Sequence, residues 1–172
     1  MIETPLIIIG SARKQSETEQ FAAEVFKNYD VEIIELLTSC IAPYNYLSTY
    51  PSDDAFREIC KKMLLHRTII FATPVYWYAM SGVMKTFFDR FTDIVTVQKE
   101  VGRQLRGKSI FLLAVGADPQ LPPGFEVPFK LTAQYLDMVY GGCIYHSTKS
   151  PSTREQTNID VFLSEIKTTL AI

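Results

Sequence analysis

Short apolar runs alternate with amphipathic stretches along this chain, and that alternation narrows the folds open to it. Continuous β-branched runs closed by glycine, such as the first one, suit strands that are buried on both faces of a sheet. We predict five strands: Pro5–Gly10, Val31–Leu37, Thr68–Ala72, Lys108–Val115 and Tyr140–Tyr145. We predict five helices from apolar residues at helical spacing: Glu17–Tyr29, Asp53–Leu65, Ser81–Asp93, Pro128–Met138 and Arg154–Leu170.

Strands that alternate with helices build βαβ units, whose parallel strands form one sheet with helices on both faces. The predicted fold is therefore α/β, a three-layer sandwich around a five-stranded parallel sheet in the order 2-1-3-4-5. The length fits one domain, which we predict to span residues 1–172. Ligands of such folds bind beyond the carboxyl ends of the strands where the strand order reverses, here between strands one and three.

Charge and cysteine content exclude several classes of protein. The formal net charge is −2 and the basic residues are scattered, so we expect neither nucleic acid nor a membrane as a partner. The three cysteines are odd in number and form no C-x-x-C motif, as is typical of a reduced, cytoplasmic protein. The longest early apolar run, Leu6–Ile9, is far shorter than an export signal or a membrane span.

The loop after the first strand has the composition of a phosphate-binding loop. Ser11, Ser16 and Thr18 can donate hydroxyl hydrogen bonds, and Arg13 adds a positive charge. A helix is predicted to begin at Glu17, so free backbone N–H groups converge on the same place. The loop lacks both G-x-x-x-x-G-K-[ST] and G-x-G-x-x-G, which disfavours a nucleoside-triphosphate or a dinucleotide site. An ordinary polar loop with a helix cap is the competing interpretation.

The segment after the third strand has the composition of a platform for a flat ring. Tyr76, Trp77 and Tyr78 are adjacent at a strand end, where all three side chains cannot point inward. Their rings could border a planar heterocycle, and backbone groups of the turn could bond its polar edge. An aromatic cluster that caps the core is the alternative. Together with the first loop, the segment predicts a site for a flat ring with a phosphate tail.

At these two stretches the sequence resembles the NAD(P)H-dependent FMN reductase branch of the flavodoxin-like superfamily. The first matching segment, Gly10–Thr18, reads GSARKQSET. The second and more distinctive one, Thr73–Arg90, reads TPVYWYAMSGVMKTFFDR. Weaker similarity continues at Asp53–Asp54, Gly107–Lys108 and Gly116, so that the resemblance covers roughly residues 5–146.

The resemblance implies a flavodoxin-like fold, noncovalent FMN, and oxidoreductase activity with NAD(P)H as co-substrate. It implies a small-molecule electron acceptor such as a quinone, an azo compound or a free flavin, and a homodimer or homotetramer. It assigns the phosphate loop to Ser11, Arg13, Ser16, Glu17 and Thr18. It assigns the isoalloxazine ring to Pro74, Val75, Tyr76 and Trp77, with Gly116 nearby. It names no side chain as a catalytic acid or base.

This chain also departs from the family pattern. Ala12, Ser16 and Glu17 stand where relatives often have Pro, Gly and Asn. The carboxylate of Glu17 would repel a phosphate, so we expect it to point outward and cap the helix. Only one cysteine, Cys40, lies in the loop where iron–sulfur relatives carry a cluster of them, so no such cluster can form.

Other functional classes remain to be weighed against a reductase. A nonenzymatic flavodoxin-type electron carrier is the main alternative, although such carriers usually have a strong acidic excess. A signalling receiver domain would need acidic residues where Ser11 and Thr73 stand, which excludes it. A flavin-free interaction protein would neither be coloured nor bind added FMN. His66 and His146 have no partners at metal-ligand spacing, and we predict structural roles for both and no metal site.

Overall fold

The computed structural model describes residues 4–170. Its strands are β1 (Leu6–Ile9), β2 (Glu32–Glu35), β3 (Thr68–Tyr76), β4 (Ala79–Met80), β5 (Ser109–Gly116) and β6 (Val139–Ser147). Its α-helices are α1 (Glu17–Val25), α2 (Phe56–Leu65), α3 (Gly82–Asp89), α4 (Phe91–Thr96), α5 (Lys99–Gln104), α6 (Val127–Tyr135) and α7 (Glu155–Leu170). One 3-10 turn, Leu36–Thr38, follows β2.

The five long strands form a parallel sheet in the order β2-β1-β3-β5-β6. Since β5 and β6 are the fourth and fifth predicted strands, the predicted order 2-1-3-4-5 and the flavodoxin-like fold are confirmed. The strand β4 is an addition that pairs antiparallel with the end of β3. The interior strand β1 is buried along its whole length, as its unbroken apolar sequence requires.

Two apolar cores lie on opposite faces of the sheet, because successive strand residues point to opposite sides. One core packs Ile8 and Phe71 against α2, α3 and α6, whose contributions include Phe56, Phe87 and Phe129. The other core packs Ile7 and Phe111 against α1 and α7. This three-layer arrangement leaves the edge at the carboxyl ends of the strands to the loops.

The third strand is longer than the predicted Thr68–Ala72 and turns back on itself. It continues to Tyr76 and returns as β4, with Val75 paired to Met80 and Tyr76 to Ala79. The two turn residues, Trp77 and Tyr78, both have positive φ angles, of 49° and 64°. Such a two-residue hairpin normally carries Asn or Gly, so the sequence offered no signal for it.

The third predicted helix, Ser81–Asp93, is interrupted. α3 ends at Asp89, α4 begins at Phe91, and α5 was not predicted at all. The break falls at Arg90, which is only 2% exposed and whose guanidinium forms ion pairs with Asp54 and Asp93. These buried ion pairs give Arg90 a structural role.

The Arg90 network also fixes the tyrosine-rich loop before α2. The Arg90 guanidinium carbon lies 3.3 Å from the centroid of the Tyr50 ring, and the Tyr50 hydroxyl donates to Asp93 Oδ1 at 3.1 Å. Asp54 accepts the N–H of Phe56, the first residue of α2. The predicted start of this helix at Asp53 is thus three residues too early.

No helix within residues 4–170 is both long enough and apolar enough to cross a bilayer.

Candidate functional site

The ends of β1, β3 and β5 meet at one edge of the sheet, and the strand order reverses between β1 and β3. The loop from Gly10 to Ser16 leaves β1 at this edge, and the β3–β4 hairpin rises beside it. Gly116 ends β5 next to the hairpin. The structure therefore brings all the residues predicted for the ring and the phosphate to one side of the molecule.

A serine that the sequence analysis overlooked joins the first loop to the hairpin. The buried Ser81 hydroxyl donates to the Gly10 carbonyl oxygen and accepts the N–H of Met84 at 3.0 Å, as the N-cap of α3. The Ser81 N–H donates to the Thr73 hydroxyl at 3.1 Å. A Ser-Gly pair before a helical run is a capping signal, but only the fold reveals its link to β1.

The first loop contains buried hydroxyl groups that remain available as hydrogen-bond donors. Ser11, Ser16 and Thr18 are all buried. Ser16 caps α1 by accepting the N–H of Glu19 at 3.2 Å, and Ser11 accepts the N–H of Arg13 at 3.4 Å. Among residues 4–170, neither the Ser11 nor the Thr18 hydroxyl donates a hydrogen bond. Thr18 lies in the first turn of α1, where the first backbone N–H groups also lack helical partners, and Ser11 lies in the loop that leads to this helix.

Two carboxylates accompany these donors. Glu17 forms an ion pair with Arg13, and both side chains are more than half exposed. The hydrogen bond and the charge of Glu17 raise the pKa of Arg13. Glu19, which was not predicted as a site residue, accepts the N–H of Gln15 at 2.7 Å.

The hairpin exposes its aromatic rings, as predicted. Trp77 is 93% exposed, Tyr78 is 68% exposed, and Tyr76 is about half exposed. A cavity of about 190 Å³ lies beneath the tip and is lined by Val75, Trp77, Tyr78, Ala117 and Asp118.

Gly116 has no side chain, and side chains from the neighbouring strands β3 and β6 occupy the space beside it. A Cβ atom at this position would lie 2.7 Å from the Tyr145 hydroxyl oxygen and 3.2 Å from Val75 Cβ. That hydroxyl donates to the Asp118 carbonyl oxygen at 2.7 Å, which fixes the loop after β5. Burial, followed by the charge of Asp118, raises the pKa of Tyr145. No sequence pattern marks Tyr145 or Asp118 as part of the site, since only the register of β5 and β6 brings them together.

These features fit FMN. Unspent hydroxyl and N–H donors at the first loop could hold a phosphate, and the exposed rings of the hairpin could border a flat heterocycle. Gly116 carries no side chain, so the end of β5 packs closely against Val75 and Tyr145 beside the hairpin.

Comparison with known proteins places the chain in a family. Residues 5–138 match the family model of NADPH-dependent FMN reductases. The chain is 30% identical over 154 residues to the NAD(P)H-dependent FMN-containing oxidoreductase YwqN of Bacillus subtilis (strain 168), covering 84% of this chain and 85% of that protein. It is 32% identical over 106 residues to an FMN-dependent NADPH-azoreductase of Staphylococcus aureus (strain USA300), which is 56% of each chain.

A solved structure supports the same fold. The Trp repressor binding protein of Bacillus subtilis superposes with a TM-score of 0.73 over 95% of this chain and 97% of that one, at 22% sequence identity. The family match spans both the phosphate-type loop and the aromatic hairpin. The chain belongs to the NADPH-dependent FMN reductase family, and it is accordingly an oxidoreductase whose cofactor is FMN and whose reductant is NAD(P)H.

Proposed function

We propose that this enzyme binds FMN across the edge of β1, β3 and β5 and passes electrons from NAD(P)H to a flat aromatic acceptor. The FMN phosphate is held by the side chains of Ser11, Arg13, Ser16 and Thr18 and by the backbone N–H of Glu17. The isoalloxazine ring is bordered by Pro74, Val75, Tyr76, Trp77 and Gly116.

The hydrogen bonds of the Ser81 hydroxyl are the main observation in support of this proposal. Its hydroxyl ties the carbonyl of Gly10 to the first turn of α3, so the first loop and the hairpin are fixed relative to each other. A ligand that contacts both segments would therefore meet them in a fixed relative position. The unspent hydroxyl donors of Ser11 and Thr18 support a phosphate at the loop end of that ligand.

FMN supplies a two-electron carrier that takes a hydride from reduced nicotinamide and gives electrons to an acceptor. The chain orients its substrates and covers part of the site. Trp77 and Tyr78 extend over the cavity by the β5 loop, where they can stack on a planar molecule and keep water from its face. His146 is occupied elsewhere, since it stacks on Phe21 and pairs with Glu155.

We propose quinones, azo compounds and free flavins as acceptors. The cavity is small, two of its five lining residues are aromatic, and Asp118 is its one charged lining residue among those described, which suits a neutral planar molecule. The azoreductase name of the Staphylococcus aureus relative agrees with this class. A nonenzymatic electron carrier is the second candidate, and the net charge of −2 gives it little support.

Steady-state kinetics of the FMN-loaded protein would test the proposal. We expect oxidation of NADPH or NADH that depends on an added quinone, azo dye or flavin. Trp77→Ala should raise KM for the acceptor several-fold, whereas Tyr46→Ala, which removes an exposed ring from another loop, should not. An FMN-loaded, yellow protein that fails to oxidise either nicotinamide with every acceptor would contradict the reductase and favour the carrier.

We also propose a homodimer or homotetramer in a reducing, cytoplasmic compartment. The apolar groove of about 500 Å³ along α3, α4 and α6, where Leu131 and Tyr135 are exposed, supports self-association. All three cysteines are free thiols, in keeping with a reducing compartment. Light scattering coupled to gel filtration would give the mass, and a monomer at micromolar concentration would contradict the oligomer.

A further inference from the structure

The proposed phosphate end of the site has no net positive charge. The first loop and the first turn of α1 carry two basic side chains, Arg13 and Lys14, and two acidic ones, Glu17 and Glu19. A phosphate monoester near neutral pH carries one to two negative charges, so a cradle for it normally gains affinity from an excess of positive charge. Here that excess is cancelled within the loop itself.

The two carboxylates differ in what they do. Glu19 bonds the backbone N–H of Gln15 and lies near the cap of α1, as a glutamate at the third helical position commonly does. Glu17 instead takes a guanidinium N–H of Arg13, four residues earlier. It thereby occupies the one arginine of the loop and places a negative charge beside the N–H groups that a phosphate would use.

The pair is exposed, and this determines how it acts. Exposed ion pairs contribute little to folding stability, so Glu17 is not needed to hold the loop together. Arg13 lowers the pKa of Glu17 through their hydrogen bond, so the carboxylate stays ionised at neutral pH. A fixed negative charge at the entrance of an anion site weakens the binding of the anion without changing the shape of the site.

We propose that Glu17 sets the cofactor affinity of this enzyme by neutralising the phosphate end of its flavin site. The chain then gains little from the phosphate, discriminates weakly between FMN and riboflavin, and exchanges its flavin readily. The inference rests on the proposed position of the FMN phosphate in the first loop.

Flavin binding to a set of charge variants tests the inference. Dissociation constants for FMN and for riboflavin are measured by flavin fluorescence on the flavin-free protein, for the wild type, Glu17→Gln, Arg13→Gln and the double variant. We expect Glu17→Gln to tighten FMN about tenfold and Arg13→Gln to weaken it about tenfold, from the Coulomb energy of one charge near a phosphate at the protein surface. The double variant should return close to the wild-type value, and riboflavin should stay unchanged throughout.

A matched control is available at the other end of the sheet. Glu100→Gln breaks another exposed Arg–Glu pair, with Arg103, in the helix that precedes β5. It removes the same charge from the protein as a whole and should change neither dissociation constant. Thermal unfolding of every variant checks that the fold is retained.

Failure of the inference differs from failure of the proposed site. If Glu17→Gln leaves the FMN-to-riboflavin ratio unchanged while Thr18→Val still weakens FMN alone, the phosphate lies in this loop but Glu17 does not set its affinity. If no change at Arg13, Glu17 or Thr18 affects FMN binding, the phosphate lies elsewhere and both the proposed site and the inference are overturned.

Discussion

Gly10 shows how a single missing side chain shapes the site. A Cβ atom at this position would lie 2.7 Å from Met84 Cβ and 2.8 Å from Met84 Cε. The start of α3 therefore rests directly on the end of β1, and this contact lets Ser81 reach the Gly10 carbonyl. The φ angle of Gly10 is not positive, so its backbone conformation does not require glycine. Glycine is required at this position because α3 packs closely against it.

Gly10→Ala should destabilise the protein by about 1–3 kcal/mol, the usual range for overpacking a close contact. It should also weaken FMN binding, because α3 and the hairpin must move away from the first loop. Gly82→Ala is the matched control, since an added Cβ at this helical glycine meets nothing within 4 Å. That change should stabilise the protein by about 0.5 kcal/mol through the unfolded chain. Urea unfolding measures both, and equal effects would contradict the packing argument.

At the scale of secondary structure, the sequence predicted the elements that apolar periodicity encodes. The five parallel strands and their order follow from β-branched runs and helical spacing, which depend on local sequence alone. The hairpin was missed because Trp77 and Tyr78 adopt a turn that their residue types disfavour. The break at Arg90 was missed because its ion-pair partner Asp54 lies 36 residues away. Contacts distant in sequence thus account for most of the missed site geometry.

The hairpin tip keeps a strained turn where it presents aromatic rings. A left-handed conformation costs roughly 1–2 kcal/mol for each residue other than glycine. Replacing Trp77 and Tyr78 by Asn-Gly should therefore stabilise the protein by about 1–2 kcal/mol, since that pair favours the observed turn. The same double variant should bind acceptors several-fold more weakly. Urea unfolding and KM values measure the two effects, and a loss of stability would contradict the strain argument.

Asp54 links the tyrosine-rich loop to α3 and α4, and its titration should appear in the acid stability of the protein. Burial acts to raise its pKa, but hydrogen bonds from Arg90 and from the Ala42 N–H outweigh burial and hold it below the ordinary value of 3.8. The folded state then binds fewer protons than the unfolded state. The contribution of ionised Asp54 to the free energy of unfolding is complete well above its ordinary pKa of 3.8 and is lost as the pH falls through its lower pKa in the folded state.

Asp54→Asn should lower the free energy of unfolding at pH 7 by about 3 kcal/mol, because Arg90 then keeps a buried charge with one partner fewer. The variant should also lose less stability than the wild type between pH 4 and pH 3. Urea unfolding of the flavin-free proteins at pH 7, 4 and 3 checks both expectations. Asp53→Asn, at the exposed neighbouring carboxylate, is the control. If Asp54→Asn loses as much stability as the wild type between pH 4 and pH 3, the titration of Asp54 does not contribute to acid stability.

The two ends of the whole sheet differ in how they use polar groups. At the amino ends of the strands, Lys108 Nζ donates to the carbonyl oxygens of Leu64 and His66 at 2.8 and 2.7 Å. The His66 ring in turn bonds the Thr4 carbonyl and Glu32. At the carboxyl ends, the hydroxyl groups of Ser11 and Thr18 donate no hydrogen bond to any of residues 4–170. One end is therefore closed by its own hydrogen bonds, while the other is prepared for a ligand.

This asymmetry predicts where FMN stabilises the molecule. At a hundredfold excess over the dissociation constant, FMN should raise the free energy of unfolding by about 2.7 kcal/mol. Hydrogen exchange of backbone amides should slow together in residues 10–18, 73–81 and 116–118, while amides near His66 and Lys108 gain only the global increment. Riboflavin should protect the last two segments and give residues 10–18 only the global increment, because it lacks the phosphate. If FMN and riboflavin protect the first loop equally, that loop responds to the ring, and the division of the site into a phosphate end and a ring end is wrong.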